Sequence, residues 1–150
     1  VLAVCMLGLS QLASFAQTDP FIGTWRLNVG KSTYTPGPPP SSNTLTVEAA
    51  GQGVKVTAKG TDAEGKPTAI QYTANYDEKD YTVTGNPDWD MVAFKRIDAY
   101  ILEFTRKKAG KVVQTGTNVG SKDGKTRTIT VKGINARGEK ISNVVVYEKQ

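Results

Sequence analysis

The feature that most restricts this chain is a series of short segments alternating apolar and polar residues, each separated from the next by a turn. From Gln17 onward no stretch shows sustained helical periodicity. Turn signals such as Gly51-Gln52-Gly53, Gly85-Asn86-Pro87-Asp88 and Asp123-Gly124 recur about every eight to twelve residues. A short-looped antiparallel meander exposes two edges unless it closes. The pattern therefore predicts an all-β fold, an up-and-down antiparallel meander closed into a single β-barrel of about eight to ten strands without substantial helix.

The N-terminal segment 1–16, VLAVCMLGLSQLASFA, has no charged residue and is typical of the apolar part of a secretory signal. Small residues occupy the positions before a cut at Gln17. Because the chain does not start with Met, we expect its true N-terminus to lie upstream. We predict a signal segment 1–16 and one barrel domain, 17–150, in a secreted or periplasmic protein. A buried strand, a membrane anchor and lipid attachment at Cys5 are the alternatives.

Composition removes most kinds of catalytic site. The chain has no histidine, and its single cysteine falls in the predicted signal segment, so the commonest general base and metal ligands are missing from the predicted mature domain. No nucleophile or phosphate-loop motif is present. We expect a protein that is not an enzyme, with no catalytic residue, no cofactor and no metal.

The charge pattern favours a solvated, mildly basic surface. The net charge is +5, but lysine and arginine are spread along the predicted mature chain and mixed with acidic residues. We therefore expect no nucleic-acid partner. We also expect a monomer with no stable membrane insertion after signal removal.

Gly23 and Trp25 lie in the first predicted strand. Phe21, Gly23, Trp25 and Leu27 share one face of this segment, and a glycine beside an indole allows close approach while the ring fills the remaining space. These residues resemble the Gly-x-Trp signature of lipocalins and fatty-acid-binding proteins, the calycin superfamily. The resemblance implies that Gly23 and Trp25 form a structural plug at one end of the barrel.

The last strand carries a second resemblance. Val144 to Lys149, VVVYEK, is similar to the closing strand of fatty-acid-binding proteins, which ends in Arg-x-Tyr followed by Glu-Lys. Val145 stands at the arginine position, so one cation that many members use to hold a ligand carboxylate is missing. The segments GTW-LN-KS, GNPD and SKDGK, together with a proline-rich loop, resemble those of small secreted bacterial proteins of lipocalin-like type with no settled function. About ten strands are implied by the fatty-acid-binding branch, and eight by lipocalins.

A proline-rich loop, Gly30 to Ser42, follows the first strand. Its four prolines predict a stiff, polyproline-like flap, with neither helix nor ladder pairing. This differs from fatty-acid-binding proteins, which place a helical lid here.

Alternation along the later strands predicts which side chains face the barrel interior. Arg127 lies on the same face of its strand as the apolar Ile129 and Val131. In the strand before Lys107, Arg106 continues the face that carries the bulky residues Tyr100, Leu102 and Phe104. By the same alternation, Arg96 shares a face with Val92 and Phe94. The predicted ligand-binding residues are aromatic side chains and two arginines: Tyr72, Phe94, Tyr100, Phe104, Arg106, Arg127 and Tyr147.

The two arginines indicate the chemistry of the site. A buried guanidinium is costly unless it meets a negative group, which would be an internal carboxylate or the acid group of a ligand. Alternatively, either arginine sits at a strand end and reaches solvent over an apolar stem. Trp89, in an acidic loop, is expected to be more exposed than most aromatic residues.

Two functions follow from these patterns. The first is a barrel that binds a small hydrophobic or amphipathic, optionally anionic, ligand in its interior. The second is a barrel filled by its own side chains that acts as a protein- or envelope-interaction module through its outer face or the proline-rich loop. The volume of the interior separates them.

Overall fold

The computed structural model of the protein describes residues 19–150. The predicted signal segment and Cys5 lie outside this range, so that prediction is not tested. The described residues form eleven strands and one 3₁₀ turn, Val29–Lys31. The strands are β1 (Gly23–Leu27), β2 (Thr33–Thr35), β3 (Ser42–Ala50), β4 (Gly53–Thr61), β5 (Pro67–Ala74), β6 (Tyr81–Thr84), β7 (Met91–Asp98), β8 (Ile101–Lys108), β9 (Lys111–Gly120), β10 (Thr126–Ile134) and β11 (Lys140–Lys149).

Ten of these strands close into a barrel. All neighbours are antiparallel, in the order β1-β3-β4-β5-β6-β7-β8-β9-β10-β11, and β11 pairs back onto β1. The closing register places Trp25 opposite Lys149 and Leu27 opposite Tyr147. The predicted closed all-β meander is confirmed, with ten strands rather than eight. The described residues contain no α-helix, and none of their helical segments is long and apolar enough to cross a membrane.

The remaining strand, β2, corrects the prediction for the proline-rich loop. Thr33 to Thr35 pair with Ser142 to Val144 of β11, so the start of the loop does join the ladder. This is compatible with the composition because the prolines begin only at Pro36, after the last paired residue. Strands β1 and β2 thus occupy successive parts of the same edge of β11.

Phe21 and Trp25 pack at one end of the barrel, which is called the plugged end below. Phe21 and Trp25 are each 1% exposed, and the indole Nε1 of Trp25 donates a 3.0 Å hydrogen bond to the carbonyl of Phe21. Gly23 has a φ of +135°, and a Cβ there would lie 2.8 Å from Cε of Lys149. The close approach at Gly23 is therefore made by the Lys149 side chain, which places its Nζ 5.2 Å from the centre of the Trp25 ring.

The segment before β1 is attached to the same end of the barrel by Asp19. Its Oδ2 accepts hydrogen bonds from Tyr76 Oη at 2.8 Å and Arg96 Nη2 at 3.0 Å. Arg96 also lies 4.5 Å from the Tyr76 ring centre. Burial and the neighbouring Asp19 carboxylate raise the pKa of Tyr76. Arg96 is thus engaged at the plugged end and does not join the interior set that alternation predicted.

Candidate functional site

A cavity of about 230 Å³ occupies the barrel interior. Its wall combines aromatic and aliphatic side chains with two guanidiniums, several amides and tyrosine hydroxyls. Alternation in the closed sheet explains this composition, because every second residue of each strand points inward. Ile129, Val131, Ile141, Asn143 and Val145 all line it, as their predicted face requires.

Arg106, near the end of β8, lies against the cavity with its guanidinium stacked on aromatic rings. Its Cζ is 4.2 Å from the centre of the Trp89 ring and 4.5 Å from that of Phe104. Nη1 donates a 3.0 Å hydrogen bond to Oε1 of Gln114, whose Nε2 donates in turn to the Ile134 carbonyl. Burial lowers the pKa of Arg106 to about 10, so the group stays charged at neutral pH.

Arg127, near the start of β10, lies in the cavity close to the plugged end. It is 6% exposed, which rules out the alternative that it reaches solvent from a strand end. Its Cζ lies 5.1 Å from the Phe21 ring centre and 5.4 Å from that of Trp25, and Nε donates to Oδ1 of Asn118 at 3.3 Å. Desolvation by burial lowers the pKa of Arg127.

Inside the barrel formed by the described residues, the two guanidiniums lack anionic partners. Within residues 19–150 neither forms an ion pair with a carboxylate. Nε of Arg106 and Nη1 of Arg127 are buried and have no hydrogen-bond partner among these residues. Asp88 attracts Arg106 and Asp19 attracts Arg127, but only through longer-range electrostatics. Asp88 accepts a hydrogen bond from the Ala136 amide, and Asp19 pairs with Arg96. The interior is therefore positively charged and offers free donors.

Two tyrosine hydroxyls share this charged space. Burial raises the pKa of Tyr147 to about 12 and also raises that of Tyr72. The positive charges of Arg106 and Arg127 lower both pKa values, but by less than burial raises them. Both phenols are therefore neutral at physiological pH and retain their O–H as a donor. The Tyr72 ring also stacks on Phe94, with 5.8 Å between the ring centres. The cavity thus presents donors and aromatic faces together.

Six of the seven predicted ligand-binding residues line this cavity, and the seventh does not. The six are Tyr72, Phe94, Phe104, Arg106, Arg127 and Tyr147. Tyr100 instead precedes β8 in the turn after β7 and lines a surface depression beside Asp19 and Arg96. Strand alternation begins only at Ile101, so it does not set the direction of the Tyr100 side chain, and the predicted interior position is wrong.

Trp89 is an interior residue that the sequence reasoning placed in an exposed loop. It is 6% exposed and lies 6.4 Å from Tyr72, ring centre to ring centre, at 61°. The Arg106 guanidinium stacks on the Trp89 ring, so Trp89 belongs to the site rather than to the rim. The adjacent acidic residues were misleading because their carboxylates accept backbone hydrogen bonds: Asp88 from Ala136 and Asp90 from Ala109.

Gln114 and Asn118 were also missed, because polar residues on an alternating strand are usually assigned to the solvent face. They are 3% and 4% exposed and share the inward face of β9 with Gly116. A Cβ on Gly116 would lie 2.6 Å from the Phe104 ring and 1.9 Å from the Thr130 carbonyl oxygen. The available signal was the hairpin register, which sets Gln114 directly opposite Arg106.

The end of the barrel opposite the plug is the mouth of the cavity. A surface depression there is lined by Pro36, Pro38 and Pro40 and by the turns around Asp62 and Ala136. Four residues line both the depression and the cavity: Tyr34, Asp88, Ile141 and Asn143. The proline-rich loop therefore borders the route between solvent and the arginines.

The donor groups that line the cavity can bind an anion. Residues 19–150 contain no cluster of three or more acidic side chains that could hold a metal ion. The donors of the site converge from different strands onto one apolar space, so an anionic group would meet guanidinium and phenol donors there.

Comparison with known proteins identifies little. No family model matches the chain, and no curated protein sequence matches it. Among solved structures, the zebrafish ileal bile acid-binding protein in complex with cholic acid aligns with 12% identity and a TM-score of 0.47. The alignment covers 87% of this chain and 98% of the zebrafish chain.

Proposed function

We propose that this chain is a secreted or periplasmic carrier of calycin type, which holds a small amphipathic molecule with an acidic group inside its barrel. The observation that carries the proposal is the pair of interior arginines. Arg127 is buried and Arg106 is half-buried with its Nε out of contact with water; both guanidiniums lie against aromatic rings, and neither has a carboxylate partner in residues 19–150. A buried charge of this kind is costly unless a counter-charge arrives, and a ligand acid group would supply it.

The rest of the wall supports an amphipathic ligand. Aromatic faces of Trp89, Phe94 and Phe104 surround the charged groups and would cover the apolar part of the molecule. The neutral phenols of Tyr72 and Tyr147 add hydrogen-bond donors beside the guanidiniums. Mainly apolar walls with a few placed polar groups are typical of small-molecule sites.

The rival function, a barrel filled by its own side chains, has less support. A filled interior leaves no room, whereas this one encloses about 230 Å³. For an interaction module, the proline-rich loop would be the contact surface. The loop lies at the cavity mouth, a position that also suits a carrier. Export to the periplasm or outside the cell rests on the predicted signal segment 1–16 and stays a prediction.

A thermal-unfolding screen tests the proposal on delipidated protein lacking the predicted signal segment. We expect octanoate and benzoate to raise the melting temperature by on the order of 5–10 °C at about 100 times their Kd, because a ligand at that concentration adds about 2.7 kcal/mol to stability. The matched alcohols, 1-octanol and benzyl alcohol, lack the anionic group, so their shifts should be much smaller. Equal shifts for acids and alcohols, or none across a panel of lipids and aromatic acids, would contradict the proposal.

A further inference from the structure

We propose that the cavity is built for a compact ligand with two acidic groups, one for each arginine, rather than for a single-headed acid. The inference rests on the proposed function and specifies its ligand class. It is carried by the positions of Arg106 and Arg127, which are held at two different depths of the barrel by two separate sets of partners.

The direction of the strands sets the two depths. Strand β8 runs toward the mouth, so Arg106 lies two residues before its end, close to the turn at Ala109 and Gly110. Strand β10 starts at the plugged end, so Arg127, its second residue, lies beside Phe21 and Trp25. The two guanidiniums stack on different pairs of rings, and therefore occupy different places in the cavity.

Their hydrogen-bond partners lie at two levels of strand β9. Gln114 holds Arg106 and Asn118 holds Arg127, and both amides project from the same face of β9, four residues apart. Four residues of strand span ~13 Å at ~3.3 Å each. Because the two guanidiniums are held by amides at these two levels, a single carboxylate, whose charge-assisted hydrogen bonds are about 2.7–2.9 Å long, would pair with one of them.

Charge balance leads to the same conclusion. Each arginine keeps one buried nitrogen without a partner in residues 19–150, Nε of Arg106 and Nη1 of Arg127. A ligand with one acidic group would leave the second guanidinium still desolvated and unpaired. Two acidic groups would pair with both guanidiniums. Tyr72 and Tyr147 each interact electrostatically with both arginines, and their hydroxyls would donate hydrogen bonds to the same ligand.

The size of the cavity limits the link between the two groups. Its volume of about 230 Å³ lies below the ~300–1,000 Å³ of common small-molecule sites. A short aliphatic or single aromatic diacid therefore fits the space better than a long-chain lipid.

Isothermal titration with three eight-carbon probes tests the inference: octanedioate, octanoate and 1,8-octanediol. We expect octanedioate to bind at least tenfold more tightly than octanoate, and the diol most weakly. Arg106→Gln and Arg127→Gln should each weaken octanedioate binding by about 10–100-fold, because each removes charged hydrogen bonds to one end. Octanoate affinity should depend on only one of the two arginines.

Arg26→Gln is the matched control, because Arg26 is exposed on the outer face of β1 next to the buried Trp25. Far-UV circular dichroism would establish that every variant is folded. Equal affinity for octanoate and octanedioate would overturn the two-headed ligand while leaving the proposed acid carrier intact. Absence of saturable octanedioate binding would also overturn the inference, and absence of binding by every acid in the thermal screen would remove the carrier as well.

Discussion

Replacing Trp25 with alanine is expected to lower the free energy of unfolding by about 3–5 kcal/mol, the range typical of large aromatic truncations in a core. Trp25 is 1% exposed and packs where the first and last strands meet, opposite Lys149. The truncation removes ring contacts on both sides of that seam and leaves a cavity at the plugged end. It also removes the hydrogen bond from the indole to the Phe21 carbonyl.

Trp25→Phe is the matched control for this prediction. It keeps most of the buried ring and loses the indole N–H bond, so we expect a smaller loss of about 1–2 kcal/mol. Urea unfolding followed by far-UV circular dichroism measures both variants. If the alanine variant unfolds at the same urea concentration as the parent protein, Trp25 does not secure the closure of the barrel.

Removing the buried cation at Arg127 together with its amide partner is expected to stabilise the ligand-free protein. In the double variant Arg127→Met/Asn118→Leu, apolar side chains of similar size replace the guanidinium and the amide that accepts its 3.3 Å hydrogen bond. Because no unpaired polar atom of the pair remains, the change should raise the free energy of unfolding by about 1–4 kcal/mol. The same variant should bind octanedioate at least tenfold more weakly.

Opposite signs for stability and binding distinguish a binding arginine from a structural one. Urea unfolding without ligand and titration with octanedioate give the two values, and Arg26→Met on the outer face of β1 serves as the exposed control. A double variant that is less stable than the parent protein would mean that Arg127 stabilises the fold, and the argument for an uncompensated charge would fail.

The barrel was predictable because its strands face water on one side and an apolar interior on the other. Strands such as β5 and β10 alternate cleanly, and their turn residues mark where each ladder ends. Short loops and the absence of helical periodicity then left closure as the way to avoid open edges. The predicted pairing of the segment near Trp25 with that near Tyr147 is confirmed.

The interior was predictable only in part, because alternation assigns faces but does not say which face of a polar strand is buried. Arg106 and Arg127 were placed correctly because apolar neighbours accompany them on the same face. Only Gly116 lies between Gln114 and Asn118 on their face, so no apolar side chain between them marks that face as buried. Both amides accept hydrogen bonds from arginines on adjacent strands, and these contacts are tertiary information.

Irregular backbone explains the other errors. Tyr100 lies in the turn before β8, and the alternation of Tyr100, Leu102 and Phe104 does not show that the strand begins only at Ile101. Trp89 lies between two acidic residues whose carboxylates accept backbone hydrogen bonds from Ala109 and Ala136, and this holds the loop so that the indole points inward. The position of Trp89 thus depends on contacts far apart in the sequence.

The most direct test is a nuclear magnetic resonance titration that follows the arginine side-chain Nε–H signals while octanedioate is added. The interior-site account predicts saturable shifts at Arg106 and Arg127 with a common Kd, while the signals of the exposed Arg26 and Arg137 stay in place. Shifts confined to the exposed arginines, or interior signals that do not move at saturating ligand, would contradict an anion-binding site inside this barrel.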